Sequence, residues 1–166
     1  MVEDYKKYLE EAYTEHADTI YRLCYFKTGS IEQAEDLVQT VFIKYWDYTA
    51  SGKKVDKTKS FLFQIARNLI IDFYCKKKSI SLDYLEEEGF MPSGNEHSEI
   101  YATSEKNEVL KCVKKLQDKY QEVVYLRIVE EYSMKEIAKL LNISAANVAV
   151  RCHRGIRELR KIYHHE

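Results

Sequence analysis

The sequence predicts an all-α protein: two small helical domains joined by an acidic linker, the second domain containing a helix-turn-helix. Three observations carry this prediction. The 166 residues include one proline and five glycines, far fewer than sheets and tight turns require. Apolar residues recur at spacings of three and four, the period of an amphipathic helix. Charge is also segregated along the chain: residues 1–80 carry 13 basic and 12 acidic side chains, residues 81–103 carry 0 and 6, and residues 104–166 carry 13 and 9. The formal net charge of −1 is therefore a cancellation, and it does not exclude a nucleic-acid partner for the basic C-terminal block. A hydrophobic content of 45% argues against disorder.

The first helix is expected over residues of about 5–28, with Leu9, Tyr13, Ile20, Leu23 and Cys24 on one stripe and His16 an interior histidine on the same face. Gly29 stops it, because glycine takes a left-handed turn at low cost. Ser30 caps the next helix, and Gln33 completes a capping box. That helix runs to about residue 48 and buries Ala34, Leu37, Val38, Val41, Phe42 and Tyr45 among others. Its outward face presents Glu32, Asp36, Gln39, Thr40, Ile43 and Asp47. An exposed isoleucine among acids is either a protein-binding face or ordinary surface.

Residues 49–57, with Gly52, read as a loop. A third helix follows from about 58 to 77, with Leu62, Ile65, Ala66, Leu69 and Phe73 as its core stripe. Residues 79–104 hold Gly89, Pro92, Gly94 and Asn95 together with the acidic excess. Such a length is unusual for a loop inside one domain and reads as a linker. The boundaries are set at 1–80, 81–103 and 104–166.

Helical periodicity then resumes. Val109, Leu110, Val113 and Leu116 mark one helix, and Val123, Val124, Leu126, Ile128 and Val129 another. Ser133 and Glu136 form a second capping box, opening a short helix with Ile137, Ala138, Leu140 and Leu141. Asn142 tolerates the left-handed turn, and Ser144 caps a last helix to about residue 163.

No glycine-rich phosphate loop, histidine–glutamate zinc motif or nucleophile elbow occurs. The expectation is a protein that is not an enzyme, with no cofactor and no metal. Cys24, Cys75, Cys112 and Cys152 lie far apart in sequence and read as reduced thiols of a cytoplasmic protein. No apolar run is long enough to span a membrane, and the N-terminus lacks a basic-then-apolar signal pattern.

Two helices carry faces suited to nucleic acid. On the last helix, Val148, Cys152, Ile156, Leu159 and Tyr163 point one way, and Asn147, Arg151, Arg154 and Lys161 point roughly 120° away. Arginine clamps phosphate or pairs with guanine, and asparagine can pair with adenine. The small Ala145, Ala146 and Ala149 allow close approach to a groove. The alternative is a solvated arginine face. On the third helix, Phe63, Arg67, Ile71, Tyr74 and Lys78 fall within roughly 80° of one another, bordered by Gln64 and Asn68. Rings stack on unpaired bases and cations hold phosphates, and Lys76, Lys77 and Lys78 extend the positive end beyond Cys75. The alternative is that Phe63 and Tyr74 pack beneath a neighbouring helix.

These segments resemble a known family. Residues 33–42 (QAEDLVQTVF) with Trp46 resemble the core-binding helix of bacterial RNA polymerase sigma factors. Residues 61–72 (FLFQIARNLIID) are similar to their promoter-melting helix, and residues 132–144 (YSMKEIAKLLNIS) with Arg151, His153 and Arg154 to their C-terminal helix-turn-helix. The short two-domain form is similar to that of the extracytoplasmic-function (ECF) group.

The resemblance implies roles by position. Asp36 and Gln39, supported by Leu37, Val38 and Phe42 and flanked by Ile43, would dock on the clamp of the polymerase largest subunit. Residues 49–57 and Asn68 would help form a pocket for a flipped minus-ten base. Phe63, Arg67 and Tyr74 would hold the unpaired strand, and Lys76, Lys77 and Lys78 adjacent duplex phosphates. Ser144, Ala145, Ala146, Asn147, Arg151 and Arg154 would read the minus-thirty-five element. The acidic linker would thread the RNA exit path, and an anti-sigma factor is a possible further partner. Asn147 and Ala149 depart from the basic or hydroxyl side chains frequent in relatives, phenylalanine stands near positions 62–63 where relatives often have tryptophan or tyrosine, and Cys75 replaces a frequent basic residue. The competing classes are a self-sufficient helix-turn-helix regulator with an N-terminal dimerisation or sensor domain, and a sigma-like adaptor that does not read promoters.

Overall fold

The computed structural model describes residues 2–83 and 104–165. Among them are seven α-helices and no strand: α1 (Val2–Thr28), α2 (Ile31–Ala50), α3 (Thr58–Asp83), α4 (Ser104–Lys114), α5 (Asp118–Val124), α6 (Met134–Leu141) and α7 (Ala145–His164). A π-helical turn, Tyr125–Val129, continues α5. The chain divides into two compact units, residues 1–94 and 95–166. Helix α3 extends through Asp83, so the first three residues assigned to the linker are helical. The rest of the expected acidic linker, residues 84–103 with Gly89, Pro92, Gly94 and Asn95, lies outside the described residues.

In the first unit α1 packs on α2, and α3 packs on both. Gly29 ends α1 at φ +69°, and its N–H donates to the Tyr25 carbonyl at 2.8 Å. Ser30, in extended conformation, caps α2 by accepting from the Gln33 N–H at 3.3 Å. At the other end Thr49 Oγ1 donates to the Tyr45 carbonyl at 3.0 Å, and Gly52 takes φ +83° to turn the chain. Ile20, Leu23, Ala34, Val41, Leu62, Phe63 and Ala66 are fully buried and form the centre. Tyr13, expected within the α1 core stripe, is 54% exposed. It lies at the edge of the α1–α2 contact, its ring 4.9 Å from that of Phe42. His16 is half-buried. Burial pushes its pKa down, the Glu15 carboxylate opposes that shift, and Lys59 adds to it.

In the second unit α7 packs on α5, α6 and α4. The turn between α4 and α5 is fastened by Gln121, whose Nε2 donates to the carbonyls of Lys114 and Leu116, each at 2.9 Å. The apolar run 123–129 does not form one regular helix. Its end widens into the π turn, closed by a Glu130 N–H to Tyr125 carbonyl bond of 3.2 Å, the i to i+5 pattern. The fully buried Tyr125 sends its hydroxyl to Glu130 Oε1 at 2.9 Å, so a buried polar group is satisfied where the turn begins.

Helix α6 opens with the reciprocal box: Ser133 Oγ accepts from the Glu136 N–H at 3.2 Å, and Glu136 Oε2 from the Ser133 N–H at 2.8 Å. Asn142 adopts the left-handed conformation at φ 53°, and Ser144 caps α7 by accepting from the Asn147 N–H at 3.1 Å. Together these build the expected helix-turn-helix.

Candidate nucleic-acid interface

The phase of α7 is fixed by what it buries. Val148, Cys152 and Leu159 are buried against the unit, and Ile156 is half-buried. Ser144, Ala145, Ala146, Asn147 and Arg154 are exposed, and Arg151 is half-buried. Arg151 Nε donates to Asn147 Oδ1 at 2.9 Å. The helix thus offers a small, capped N-terminal turn followed by asparagine and arginines, the shape and chemistry that suit a major groove. Tyr163, expected at the end of the buried stripe, is 52% exposed and lines an open cavity with Val109, Cys112 and Ile128.

One residue of this helix was missed in the sequence. Gly155 is buried at the crossing of α7 and α5. A Cβ there would lie 2.5 Å from Val124 Cγ2 and 3.1 Å from Tyr120 Cβ. The signal was present: glycine inside a helix is costly unless packing requires it. Glu158, one turn further, accepts from the Gln117 N–H at 3.3 Å and anchors α7 to the start of α5.

Helix α3 corrects the sequence reading at Phe63. Expected on the outward aromatic–basic face, Phe63 is fully buried. The covered arc is Leu62, Phe63, Ala66 and Ile70, while Ile65 and Leu69, assigned to the core, are half-buried. The reason is that α3 packs against both α1 and α2, so its buried arc is wide and rotated from the assumed stripe. Phe63 is therefore a core residue, and stacking on a base is not open to it.

The outward face that remains is Arg67 (half-buried), Asn68, Ile71, Tyr74, Lys76 and Lys78 (exposed). The Tyr74 hydroxyl donates to the Lys27 carbonyl, which ties the ring to the end of α1 and leaves it 46% exposed. Lys77 is half-buried, its Nζ 5.5 Å above the Phe73 ring. Next to the 51–57 loop, Tyr48 and Phe61 meet at 4.6 Å between ring centroids, and Lys53 Nζ lies 5.0 Å from the Tyr48 ring. This aromatic–cation cluster was not singled out from sequence, because its members come from two helices and a loop.

The outward side of α2 forms a third feature. With α1 it walls an open groove of about 690 Å³ lined by Leu9, Tyr13, Gln39, Phe42, Ile43 and Trp46, with Lys6, Glu10 and Thr14. Ile43 is 59% exposed, whereas Phe42 is buried and forms the floor. Asp36 is exposed and Leu37 half-buried. The contribution of α1 is hidden in the sequence, because Leu9 and Tyr13 fall on the apolar stripe of that helix.

Among the described residues no group of histidine, cysteine and acidic side chains could hold a metal, and no helix is long and apolar enough to cross a membrane. Burial pushes the Cys24 thiol up to about 12, and raises that of Cys152 against the opposing charge of Arg127.

Two family models match in order: sigma-70 region 2 over residues 12–80 and sigma-70 region 4 over residues 106–159. The ECF RNA polymerase sigma factor SigW of Bacillus subtilis is 35% identical over 158 residues, covering 88% of this chain and 83% of SigW. SigM of the same organism is 29% identical, covering 93% and 94%. A solved sigma factor RpoE, in complex with the anti-sigma factor NepR from Bartonella quintana, shares the fold with a TM-score of 0.70 at 20% identity, covering 96% of each chain. Two sigma regions in order, joined to a relative that aligns over nearly the whole length, place this chain in the family of ECF RNA polymerase sigma factors.

Proposed function

We propose that this sigma factor divides promoter-directed initiation between faces carried by its two helical units. The outward face of α2, with exposed Asp36, and the adjoining α1–α2 groove, lined by Gln39 and Ile43, dock on the clamp of the polymerase largest subunit. Leu37 and Phe42 support that face from beneath. The outward side of α3 and the 51–57 loop take the unpaired strand of the minus-ten element: Tyr74 and the Tyr48–Phe61 pair offer rings, Asn68 a polar contact, and Arg67, Lys76, Lys77 and Lys78 cations. Base capture offsets melting, which costs on the order of a few kcal/mol per extruded base. The N-terminal half of α7 reads the minus-thirty-five duplex, with Arg151 and Arg154 supplying salt-dependent affinity.

The single observation that carries this division is the amphipathic split of α7. Val148 and Cys152 are fully inside, while Asn147 and Arg154 of the same turns face out beyond a Ser144 cap. The protein acts in the cytoplasm without catalysis or cofactor of its own. Its partners are polymerase core and promoter DNA, with an anti-sigma factor able to occlude the same faces.

The test separates the two tasks. Arg154→Ala should lower promoter binding by about tenfold, the loss of one charge-assisted contact, and leave core affinity unchanged in a polymerase pull-down titration. Asp36→Ala should do the reverse. Equal loss of both activities from either variant would refute the division.

A further inference from the structure

The Arg151 Nε to Asn147 Oδ1 contact of 2.9 Å sets how Asn147 is presented. A guanidinium only donates, so the amide atom facing it must be the oxygen. The two residues are four apart on one helix face, a spacing at which polar side chains meet. The backbone beneath Asn147 is also fixed, because its N–H is taken by Ser144 Oγ at 3.1 Å. Asn147 is exposed, and its neighbour Val148 is fully buried. The amide is therefore held outward in one orientation, oxygen towards Arg151.

We propose that Arg151 is a positioning residue for Asn147, and that the pair reads the minus-thirty-five duplex as one coupled unit presenting an oriented amide; this rests on the sigma-factor reading above. An asparagine pairs bidentately with adenine, accepting from N6 and donating to N7. An amide oxygen has two lone pairs, so Oδ1 keeps one acceptor site while Arg151 holds it, and Nδ2 remains a donor. The bond to Arg151 selects one of the two flips of the amide. It thereby favours adenine, which offers a donor and an acceptor side by side in the major groove. The Nη groups of Arg151 stay available for phosphate or guanine.

The experiment uses holoenzyme, formed from full-length protein and core polymerase, on promoters randomised through the minus-thirty-five element. Transcripts are sequenced to give base preference at each position. Asn147→Ala identifies the position that Asn147 reads, by loss of selectivity there. In the unaltered protein adenine should be enriched at that position by about tenfold. Arg151→Ala should weaken that enrichment by about threefold, as the amide becomes free to flip and must be immobilised on binding. Arg151→Met, which keeps the stem and lacks the donor, should do the same and covers a folding failure of the alanine variant.

Arg151→Gln keeps a donor able to reach Oδ1 and removes the charge. It should retain the original preference at that position while showing weaker overall binding and a shallower salt dependence. The proposal is overturned if Arg151→Ala and Arg151→Met leave preference at the Asn147 position unchanged, or if Asn147→Ala alters no single position. Absence of promoter-dependent transcription with the unaltered protein would instead refute the sigma-factor reading on which the proposal rests.

Discussion

Helices α3 and α7 each carry a face suited to nucleic acid, yet one was read from sequence with its phase displaced and the other was not. In α7 the polar residues mark the phase: asparagine and arginines recur on one side while Val148, Cys152 and Leu159 are buried on the other. In α3 the segment 61–74 has apolar or aromatic residues at nearly every angle. The stripe of Leu62, Ile65, Ala66 and Leu69 and the arc of Leu62, Phe63, Ala66 and Ile70 then fit the sequence equally well. Packing against two neighbours selects the second. Hydrophobic periodicity locates a buried face only where polar residues bound it.

The largest effect that would break this contrast is at Phe63. As a fully buried side chain, its change to alanine should cost about 3–5 kcal/mol of stability, measured by denaturant unfolding of the full chain. Tyr74→Ala, on the exposed face, should be far milder. A Phe63 variant of near-normal stability that fails only in promoter melting would return Phe63 to the outward face.

On α7 the corresponding test is Gly155→Val. The Cβ position already collides with Val124 and Tyr120, so overpacking should cost about 1–3 kcal/mol and lower the midpoint of thermal unfolding. An unchanged midpoint would mean that α5 and α7 can separate freely. Ser133→Ala removes the acceptor for the Glu136 N–H and should cost about 1 kcal/mol, read from the same unfolding curve. The smallest effect concerns thiol chemistry. At pH 8 an alkylating reagent should label exposed Cys75 in the folded protein, whereas buried Cys24, Cys112 and Cys152 should label only after unfolding. Burial lifts the Cys24 thiol to about 12, so little reactive thiolate forms. Early labelling of Cys152 would contradict the packing of α7.

Much of the fold was legible because its boundaries are local chemistry. Gly29, Ser30, the Ser133–Glu136 box, Asn142 and Ser144 each act within a few residues, and each stands where expected. The exposed face of α7 was legible for the same reason. Features that depend on partners distant in sequence were not. Tyr13 became a groove wall because α2 supplies Phe42 and Ile43 opposite it. The Tyr48–Phe61 pair required the 51–57 loop to bring two helices together. The π turn after α5 was hidden because an apolar run of that length carries no mark of i+5 bonding. Gly155 needed the α5 crossing to give it meaning.

The central claim is that this chain gives polymerase a promoter specificity which core polymerase lacks. Run-off transcription on a promoter library, with core polymerase alone and with the protein added, tests it most directly. New start sites should arise only when the protein is present, and at sub-saturating holoenzyme Arg154→Ala should reduce their yield more at low salt than at high salt. Specific duplex binding by the protein alone, with no new start sites on addition of core polymerase, would contradict the account and identify a self-sufficient regulator.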